Sequence, residues 1–455
     1  MKILIKNMGP VEYFELDLDK SFTVIYGGNN IGKSYAMQVC YLLMKHIYPE
    51  GAIFRPDRYY YRPRRMSFDY QLIAKNLIRS FYKKERREGS EIDITSDVQS
   101  AVINGLFLLS AKAFFAACKN TFKEIKTHES NPFISLNLTD FYIAFDIMNE
   151  KISSDYNVQK VLLTKKKDAG RLARETSAYL RIFIKDDENK ETKRLLEHGD
   201  KAITKLFYAF ADELKRVYYL PSSRSGIYTG LSSIGPAIAQ LAQNRTFFTQ
   251  GFVVPSISEP VSDYYLTLMD IKSSMAQKLE PFAIEIEEDV LRGSVIFDAE
   301  KGAYQYQSGE IRYDLTQTSS MIAEISPIVA YLKYIVRSQQ KTVIFIEEPE
   351  AHLHPENQVR LIEILAKLAT KVNLVISSHS NYIFNKLNNM ILDGQLNGTL
   401  YNPILMEPEG SFGKARNLDV ADIGVKDENF TDITELLWDE REEIIERRNE
   451  ENADD

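Results

Sequence analysis

The sequence predicts an α/β protein whose mixed sheet carries a phosphate-binding loop. A buried, β-branched strand over residues 22–26 is followed by a glycine-rich loop and then by an amphipathic helix that ends near His46. A second apolar strand, residues 342–346, ends in two glutamates, and a helical stretch then leads to a third buried strand, residues 373–377. Because buried strands that alternate with helices favour parallel pairing, these three strands are expected in one sheet.

The loop at residues 27–34, GGNNIGKS, matches the phosphate-binding pattern G-x-x-x-x-G-K-[ST] without a mismatch. Its glycines allow backbone N–H groups to turn onto the β- and γ-phosphates, and the following helix directs its positive end at them. Lys33 is expected to reach those phosphates, and the Ser34 hydroxyl to bind Mg²⁺. The expected nucleotide-binding residues in this loop are Gly27, Asn29, Asn30, Gly32, Lys33 and Ser34.

Two carboxylates, Glu347 and Glu348, end the second strand, which we expect to lie beside the strand before the loop. Glu347 is then placed to hold a Mg²⁺-bound water, and Glu348 to act as the general base that orients the attacking water. His379 ends the third strand and is expected to reach the γ-phosphate or that water. The alternative for all three is a strand end with solvated acids and a hydrogen-bonded histidine.

The composition is that of a globular protein, with 455 residues, 44% hydrophobic and 26% charged. Only Cys40 and Cys118 are present, which argues against a disulfide scaffold or zinc cluster and favours the cytoplasm. No apolar run approaches the ~18 residues that span a bilayer, and residues 1–6 predict a strand rather than a signal peptide. The net charge of −8 is concentrated in an acidic tail, residues 426–455, so the remainder is near neutral.

Together, the loop at 27–34, the run EEPEAHLHP at 347–355 and SSHS at 377–380 resemble the ABC-type ATPases of the SMC, RecF and Rad50 group. More narrowly they resemble the AAA-15 and AAA-21 branch, which includes the ATPase half of OLD-family proteins and occurs in bacterial antiphage defence modules. The resemblance implies an ABC-type P-loop NTPase head with a mixed sheet, an N-terminal antiparallel β lobe and a helical and β insertion. It also implies ATP hydrolysis with Mg²⁺ and a homodimer or higher homo-oligomer.

The resemblance assigns residues 315–321 to the family's signature segment, in which a helix start caps the γ-phosphate held by the opposite subunit. Ser319 and Ser320 are the expected nucleotide-binding residues there, while Met321 stands where glycine is usual. Glu347 also departs from the usual aspartate. His352 and His354 fall in the loop that meets the other subunit and are expected to be structural. Gln71 lies near the position of a magnesium-sensing glutamine.

Four parts are expected along the chain: residues 1–50 and 301–425 form the ATPase head, 51–300 the insertion and 426–455 an acidic helical tail. No heptad pattern is sustained, so the insertion is predicted to be compact rather than a long coiled coil. Arg224 follows a strand-like stretch and either reaches a phosphate or the subunit boundary, or is a surface arginine. The basic stretches at 55–65, 83–87 and 165–167 contact DNA or form a solvated face.

The favoured function is an ATPase that acts as a nucleotide-dependent dimer switch and controls a separate effector in antiphage defence. After His379 the chain is too short for the TOPRIM nuclease domain of OLD nucleases, so the effector, a nuclease or toxin encoded nearby, is expected to be another protein. One alternative is a DNA-repair or chromosome-maintenance ATPase that acts directly on DNA. Another, suggested by Met321, is an ATP-gated scaffold with little turnover. The tail helix with Trp438 either binds a partner or packs on its own domain.

Overall fold

The structure is a computed structural model. It describes residues 1–47, 91–93, 95, 111–122, 124–126, 128–138, 141–156, 160–165, 173–175, 179–184, 215–230, 257–269, 279–298, 303–336, 341–426, 437–445 and 447. The chain divides into two compact units, Met1–Met8 with Leu42–Arg216 and Gly9–Tyr41 with Val217–Asp455. The predicted four-part division of the chain stays a prediction. Within the described residues, no helix is long and apolar enough to cross a membrane.

The strands, in chain order, are β1 (Lys2–Met8), β2 (Val11–Asp17), β3 (Phe22–Gly27), β4 (Glu91–Asp93), β5 (Phe133–Asn137), β6 (Phe141–Asp146), β7 (Lys151–Tyr156), β8 (Lys160–Lys165), β9 (Ala173–Glu175), β10 (Tyr179–Ile184), β11 (Arg216–Leu220), β12 (Ser294–Asp298), β13 (Ala303–Ser308), β14 (Ile311–Asp314), β15 (Thr342–Glu347), β16 (Asn373–Ser377), β17 (Tyr401–Glu409), β18 (Phe412–Asn417), β19 (Val420–Ala421) and β20 (Gly424–Val425). The principal helices are α1 (Lys33–Ile47), α2 (Glu259–Met269), α3 (Glu280–Ile286), α4 (Ser320–Ala330), α5 (Pro355–Leu368) and α6 (Asn381–Leu392). Residues 111–121, 224–230 and 437–445 are also helical.

The first unit contains an antiparallel sheet in the order β1-β5-β6-β7. This sheet is the antiparallel β lobe expected from the sequence, and its strands β5 and β6 are antiparallel neighbours. Helical residues 111–121 pack on it through an edge-on contact of 5.4 Å between the rings of Phe114 and Phe145. A second sheet in this unit has the order β4-β8-β10-β9.

The second unit is built on strands in the order β11-β15-β16-β3-β17-β18-β2. The pairs β15/β16, β16/β3, β3/β17 and β18/β2 are parallel, whereas β17/β18 is antiparallel, so the predicted mixed α/β sheet is confirmed. Every residue of β3 and of β15 is buried, which explains their continuous apolar runs. The prediction that β15 lies beside β3 is wrong, because β16 pairs with both and separates them.

Helix caps place the elements that follow β15 and β16. His354 caps α5, its Nδ1 accepting the Glu356 N–H at 3.4 Å, and Pro355 is the first helical residue. Ser380 caps α6, its hydroxyl accepting the Ile383 N–H at 3.3 Å. Strands β12, β13 and β14 form an antiparallel meander, which leads through a short 3-10 turn at Leu315–Gln317 into α4. Helix α4 continues as a π-helical turn that ends at Ile335.

Candidate functional site

The loop at residues 27–34, the P-loop from here on, joins the buried strand β3 to helix α1. Gly27, Asn30 and Gly32 all have positive φ angles, of 131°, 61° and 91°. A Cβ atom at Gly27 would lie 2.3 Å from the Met406 carbonyl oxygen of β17, so only glycine fits there. Residues 28–30 are exposed, which leaves the turn of the loop accessible to a ligand.

Lys33 lies at the start of α1 and is only 5% exposed. Its ammonium group donates to the carbonyl oxygens of Gly27 and Gly28 at 3.0 and 2.5 Å. Burial lowers the pKa of Lys33 to about 8, while the nearby Glu348 and Glu350 act to raise it. The Lys33 ammonium group therefore has carbonyl oxygens of the loop itself as its hydrogen-bond partners.

The sheet register gathers the predicted acids at one edge. In the parallel strands Glu347 of β15 aligns with Ser377 of β16, and Ser377 aligns with Ile25 of β3. The Ser378 N–H donates to the Ile25 carbonyl oxygen at 3.0 Å, which ties the end of β16 to the strand that carries the P-loop. The carboxyl ends of the three strands therefore meet at the P-loop, although the acids come from the second neighbour of β3.

Glu347 is 2% exposed and has a defined partner on each carboxylate oxygen. The Tyr219 hydroxyl donates to Oε1, and the Ser222 backbone N–H donates to Oε2 at 3.1 Å. A carboxylate offers about four acceptor positions, so these two protein donors use about half of them. Oxygen groups such as this carboxylate and the Ser34 hydroxyl are the ligand type that Mg²⁺ prefers, so the residues present fit the predicted ion.

Glu348 and His379, the predicted catalytic pair, do come together. His379 Nε2 lies 3.6 Å from Glu348 Oε1, and the two side chains are 30% and 37% exposed. The interaction with His379 lowers the pKa of Glu348 despite its partial burial, which keeps the carboxylate ionised at neutral pH. An ionised, partly exposed carboxylate beside a P-loop can accept a proton from water.

Glu350 is a site residue that sequence reasoning missed. It is 8% exposed, and its Oε1 accepts the Ser378 hydroxyl at 2.7 Å and the His379 N–H at 2.8 Å. Its Oε2 is buried without a hydrogen-bond partner, and burial raises the pKa of this carboxyl. Glu350 thus fixes the turn that presents His379. The only sequence signal was a third acid in the run 347–350, which by itself is typical of a solvated loop.

Arg224 occupies neither of the positions considered for it. Its side chain is fully buried and donates to the carbonyl oxygens of Glu347 at 2.6 Å and Glu348 at 3.2 Å. It therefore holds the backbone at the end of β15 and is not a surface arginine. Tyr219, five residues earlier, also escaped prediction because a buried hydroxyl cannot be told from a core tyrosine by pattern alone.

The signature segment, residues 315–321, contains a 3-10 turn at Leu315–Gln317 and the start of α4 at Ser320. The Ser319 hydroxyl caps the helix by accepting the Ile322 N–H at 3.4 Å, and both Ser319 and Ser320 are exposed. Met321 turns inward, packs against the core and accepts a hydrogen bond at sulfur from the Asn357 amide at 3.4 Å. The predicted phosphate-capping serines therefore face solvent at a helix start, as a contact to another molecule requires.

The remaining predicted residues lie outside the described part of the chain or have a structural role. Gln71 and the basic stretches 55–65 and 83–87 lie outside the described residues, as do the side chains of 165–167. His354 serves as a helix cap, as its predicted structural role implies. Throughout the described ranges, no group of three or more His, Cys, Asp or Glu side chains is arranged to hold a metal ion.

Comparison with known proteins gives one family. The family model described as AAA ATPase domain matches residues 1–384, well over half of the chain. No curated protein matches. Solved structures that resemble the chain include an Smc head bound to the C-winged helix domain of ScpA, at 10% identity over 92% of this chain and 97% of that chain, with a TM-score of 0.37. An SMC head domain from Thermotoga maritima has 8% identity, coverage of 92% and 98% and a TM-score of 0.35. A Pyrococcus furiosus Smc head bound to the C-terminal domain of ScpA has 10% identity, coverage of 97% and 98% and a TM-score of 0.33.

Proposed function

This chain belongs to the AAA ATPase domain family, and we propose that it binds ATP with Mg²⁺ at the P-loop and hydrolyses it to ADP and phosphate. The observation that carries the proposal is the meeting of Glu348 and His379, 3.6 Å apart, at the edge of the sheet where the P-loop begins. Phosphate binding and an ionised base at one edge are what phosphoryl transfer to water requires.

In the proposed reaction, loop N–H groups bind the β- and γ-phosphates, and the Lys33 ammonium leaves the Gly27 and Gly28 carbonyls for the phosphate oxygens. Ser34 and Glu347 would hold Mg²⁺, which supplies positive charge to the leaving β-phosphate oxygen. Glu348 takes a proton from the attacking water, whose oxygen bonds to the γ-phosphorus as the β–γ bridging bond breaks. His379 positions Glu348 and that water.

We further propose that turnover is completed by a second copy of the chain. Ser319 and Ser320 cap the γ-phosphate held by the partner's P-loop, so ATP closes a dimer and hydrolysis opens it. The support is the exposed, serine-capped start of α4. The dimer switch controls a separate effector, a nuclease or toxin, in antiphage defence, as the resemblance of the motifs implies.

A second candidate, an ATP-gated scaffold with little turnover, is favoured by one observation. Met321, in place of glycine at the start of α4, is tethered to Asn357 and packed against the core. A side chain held in this way leaves less room for a phosphate to approach the helix start than glycine would. This candidate predicts ATP-dependent dimers with turnover near background.

Two substitutions test the proposed function. Lys33→Ala should abolish ATP binding, whereas Glu348→Gln should bind ATP, hydrolyse it at least about 10²-fold more slowly and accumulate as a closed dimer. The measurements are equilibrium binding of a fluorescent ATP analogue, phosphate release, and mass by light scattering with and without ATP. Lys367→Ala removes an exposed lysine of a surface ion pair with Glu285 and is the matched control, expected to behave as wild type.

Each outcome decides between the candidates. Hydrolysis by Glu348→Gln at the wild-type rate removes Glu348 from the reaction. If the wild-type chain dimerises with ATP but does not hydrolyse it, the ATP-gated scaffold is the correct candidate. DNA-stimulated turnover that falls steeply with salt selects direct action on DNA instead.

A further inference from the structure

Arg224 is the largest fully buried side chain among the described residues, with no exposed surface. A buried guanidinium is tolerated only where its N–H groups and its charge have partners. Here Nε donates to the Glu324 carbonyl oxygen at 2.9 Å, and Nη1 donates to the Pro221 and Glu347 carbonyl oxygens at 3.1 and 2.6 Å. Nη2 donates to the Glu348 carbonyl oxygen at 3.2 Å. One planar side chain thus joins three separate segments of the second unit.

The peptide that Arg224 holds is strained. Glu348 has a φ angle of +42°, a left-handed conformation that is unfavourable for a residue with a Cβ atom. Such strain, on the order of 1–3 kcal/mol, persists only where neighbouring groups fix the backbone on both sides. The Glu348 N–H donates to the Ser377 carbonyl oxygen at 3.1 Å, and Arg224 fixes the carbonyl. This backbone conformation aims the Glu348 carboxylate at His379.

Glu324 holds Arg224 from the other side. Its Oε2 accepts the Arg224 backbone N–H at 3.0 Å and lies 3.4 Å from Arg224 Nε. Its Oε1 accepts both the N–H and the hydroxyl of Ser225, at 3.1 and 2.6 Å. Glu324 is 1% exposed and belongs to α4, one turn after the exposed helix start at Ser320. The buried ion pair therefore links the signature helix to the end of β15.

We propose that Arg224 is a positioning residue for ATP hydrolysis, which, braced by Glu324 of the signature helix, holds the strained Glu348 peptide so that its carboxylate faces the attacking water. The inference rests on the proposed function. It adds a route by which movement of α4, when a second copy engages its start, changes the position of this subunit's own general base. Arginine is required because only its planar fork matches several carbonyl oxygens at once.

The test is Arg224→Lys, which keeps the positive charge and loses the fork. Arg224→Lys should lower kcat about 10²-fold, the effect of a displacement of about 1 Å, while KM for ATP and the Kd of the fluorescent analogue stay within about threefold. In the Glu348→Gln background, the same substitution should slow single-turnover hydrolysis by less than about threefold, because a residue that acts through Glu348 has nothing left to position.

Lys333→Met is the matched control. Lys333 and Glu287 form another mostly buried ion pair in the same unit, with 2.7 Å between Nζ and Oε1, and no role in the site is assigned to them. Breaking this pair should lower the unfolding free energy as strongly as Arg224→Lys does, yet leave kcat per folded molecule unchanged. Should Arg224→Lys fail to fold, Glu324→Gln decides, with an expected loss in kcat of about tenfold at unchanged KM.

The results separate this inference from the proposed function. Absence of turnover in the wild-type chain overturns the proposed function and this inference with it. Turnover by wild type, with Arg224→Lys no slower than Lys333→Met, overturns only the positioning role. So does a loss in kcat that is matched by an equal loss of nucleotide affinity, or that is undiminished in the Glu348→Gln background.

Discussion

ATP binding should weaken as the pH rises above 7, because Lys33 loses its proton at an unusually low pH. Burial lowers the pKa of Lys33 to about 8 in the free protein. When phosphates replace the carbonyl partners of Lys33, their negative charge should return its pKa towards the ordinary lysine value. The bound state then holds more protons than the free state between these two pKa values, so affinity falls as the pH rises.

The magnitude follows from the occupancy of the ammonium form. With a pKa of about 8, Lys33 is roughly 90% charged at pH 7 and roughly 10% charged at pH 9. If only the charged form binds ATP, Kd should rise about tenfold over this range, which is ~1.4 kcal/mol of binding free energy. At pH 8, binding should take up about half a proton.

The assay is the Kd of a non-hydrolysable ATP analogue across pH 7–9, together with calorimetry in two buffers of different ionisation enthalpy to count the protons taken up. Lys33→Arg is the control, because its guanidinium stays charged throughout and corrects for the titration of the phosphates themselves. A wild-type Kd that stays constant, a rise of equal size in Lys33→Arg, or binding without proton uptake at pH 8 would refute the reasoning.

Two further substitutions probe the supports of the P-loop and of Glu347. Gly413→Ala places a Cβ atom 1.9 Å from the backbone oxygen of Ile31 in the P-loop, so the loop must move. Because accommodating such a clash costs ~1–3 kcal/mol, we expect ATP affinity to fall by about tenfold. Tyr219→Phe removes the buried hydroxyl that donates to Glu347; it should lower the unfolding free energy by ~1–3 kcal/mol and raise the Mg²⁺ concentration needed for half-maximal turnover.

Matched variants control both experiments. Gly226→Ala adds a Cβ atom that meets nothing within 4 Å, so it should leave ATP affinity unchanged. Tyr401→Phe removes a buried hydroxyl that hydrogen-bonds to the Tyr26 hydroxyl at 2.8 Å, and it should not alter the Mg²⁺ requirement. Wild-type ATP affinity in Gly413→Ala contradicts the clash. An unchanged Mg²⁺ requirement in Tyr219→Phe contradicts the role given to Glu347.

The sequence could predict the elements whose signals are local. The P-loop was readable because strand, glycine turn and helix are consecutive, and the φ angles of Gly27 and Gly32 require the residue found there. The helix α6 was readable too, since Ser380 is a helix cap and apolar residues follow it at helical spacing, yet it was not predicted.

The order of strands and the roles of buried polar groups could not be predicted. Strand β16 pairs with both β3 and β15, and nothing in three apolar runs of similar composition specifies which lies in the middle. In the sequence, nothing distinguishes Glu350 from the neighbouring glutamates, and only the fold buries it against Ser378. The role of a buried polar side chain depends on its hydrogen-bond partner, and that partner lies in a distant part of the chain.

Taken alone, the sequence determined the phosphate-binding loop, the two glutamates and His379, because each follows a buried strand in a pattern that needs no distant residue. Tertiary structure alone decided what holds them. Arg224 lies one hundred or more residues from the Glu324, Glu347 and Glu348 groups that it contacts. A charged side chain is solvated by default, and only the close packing of segments distant in the chain supplies the acceptors that make its burial favourable.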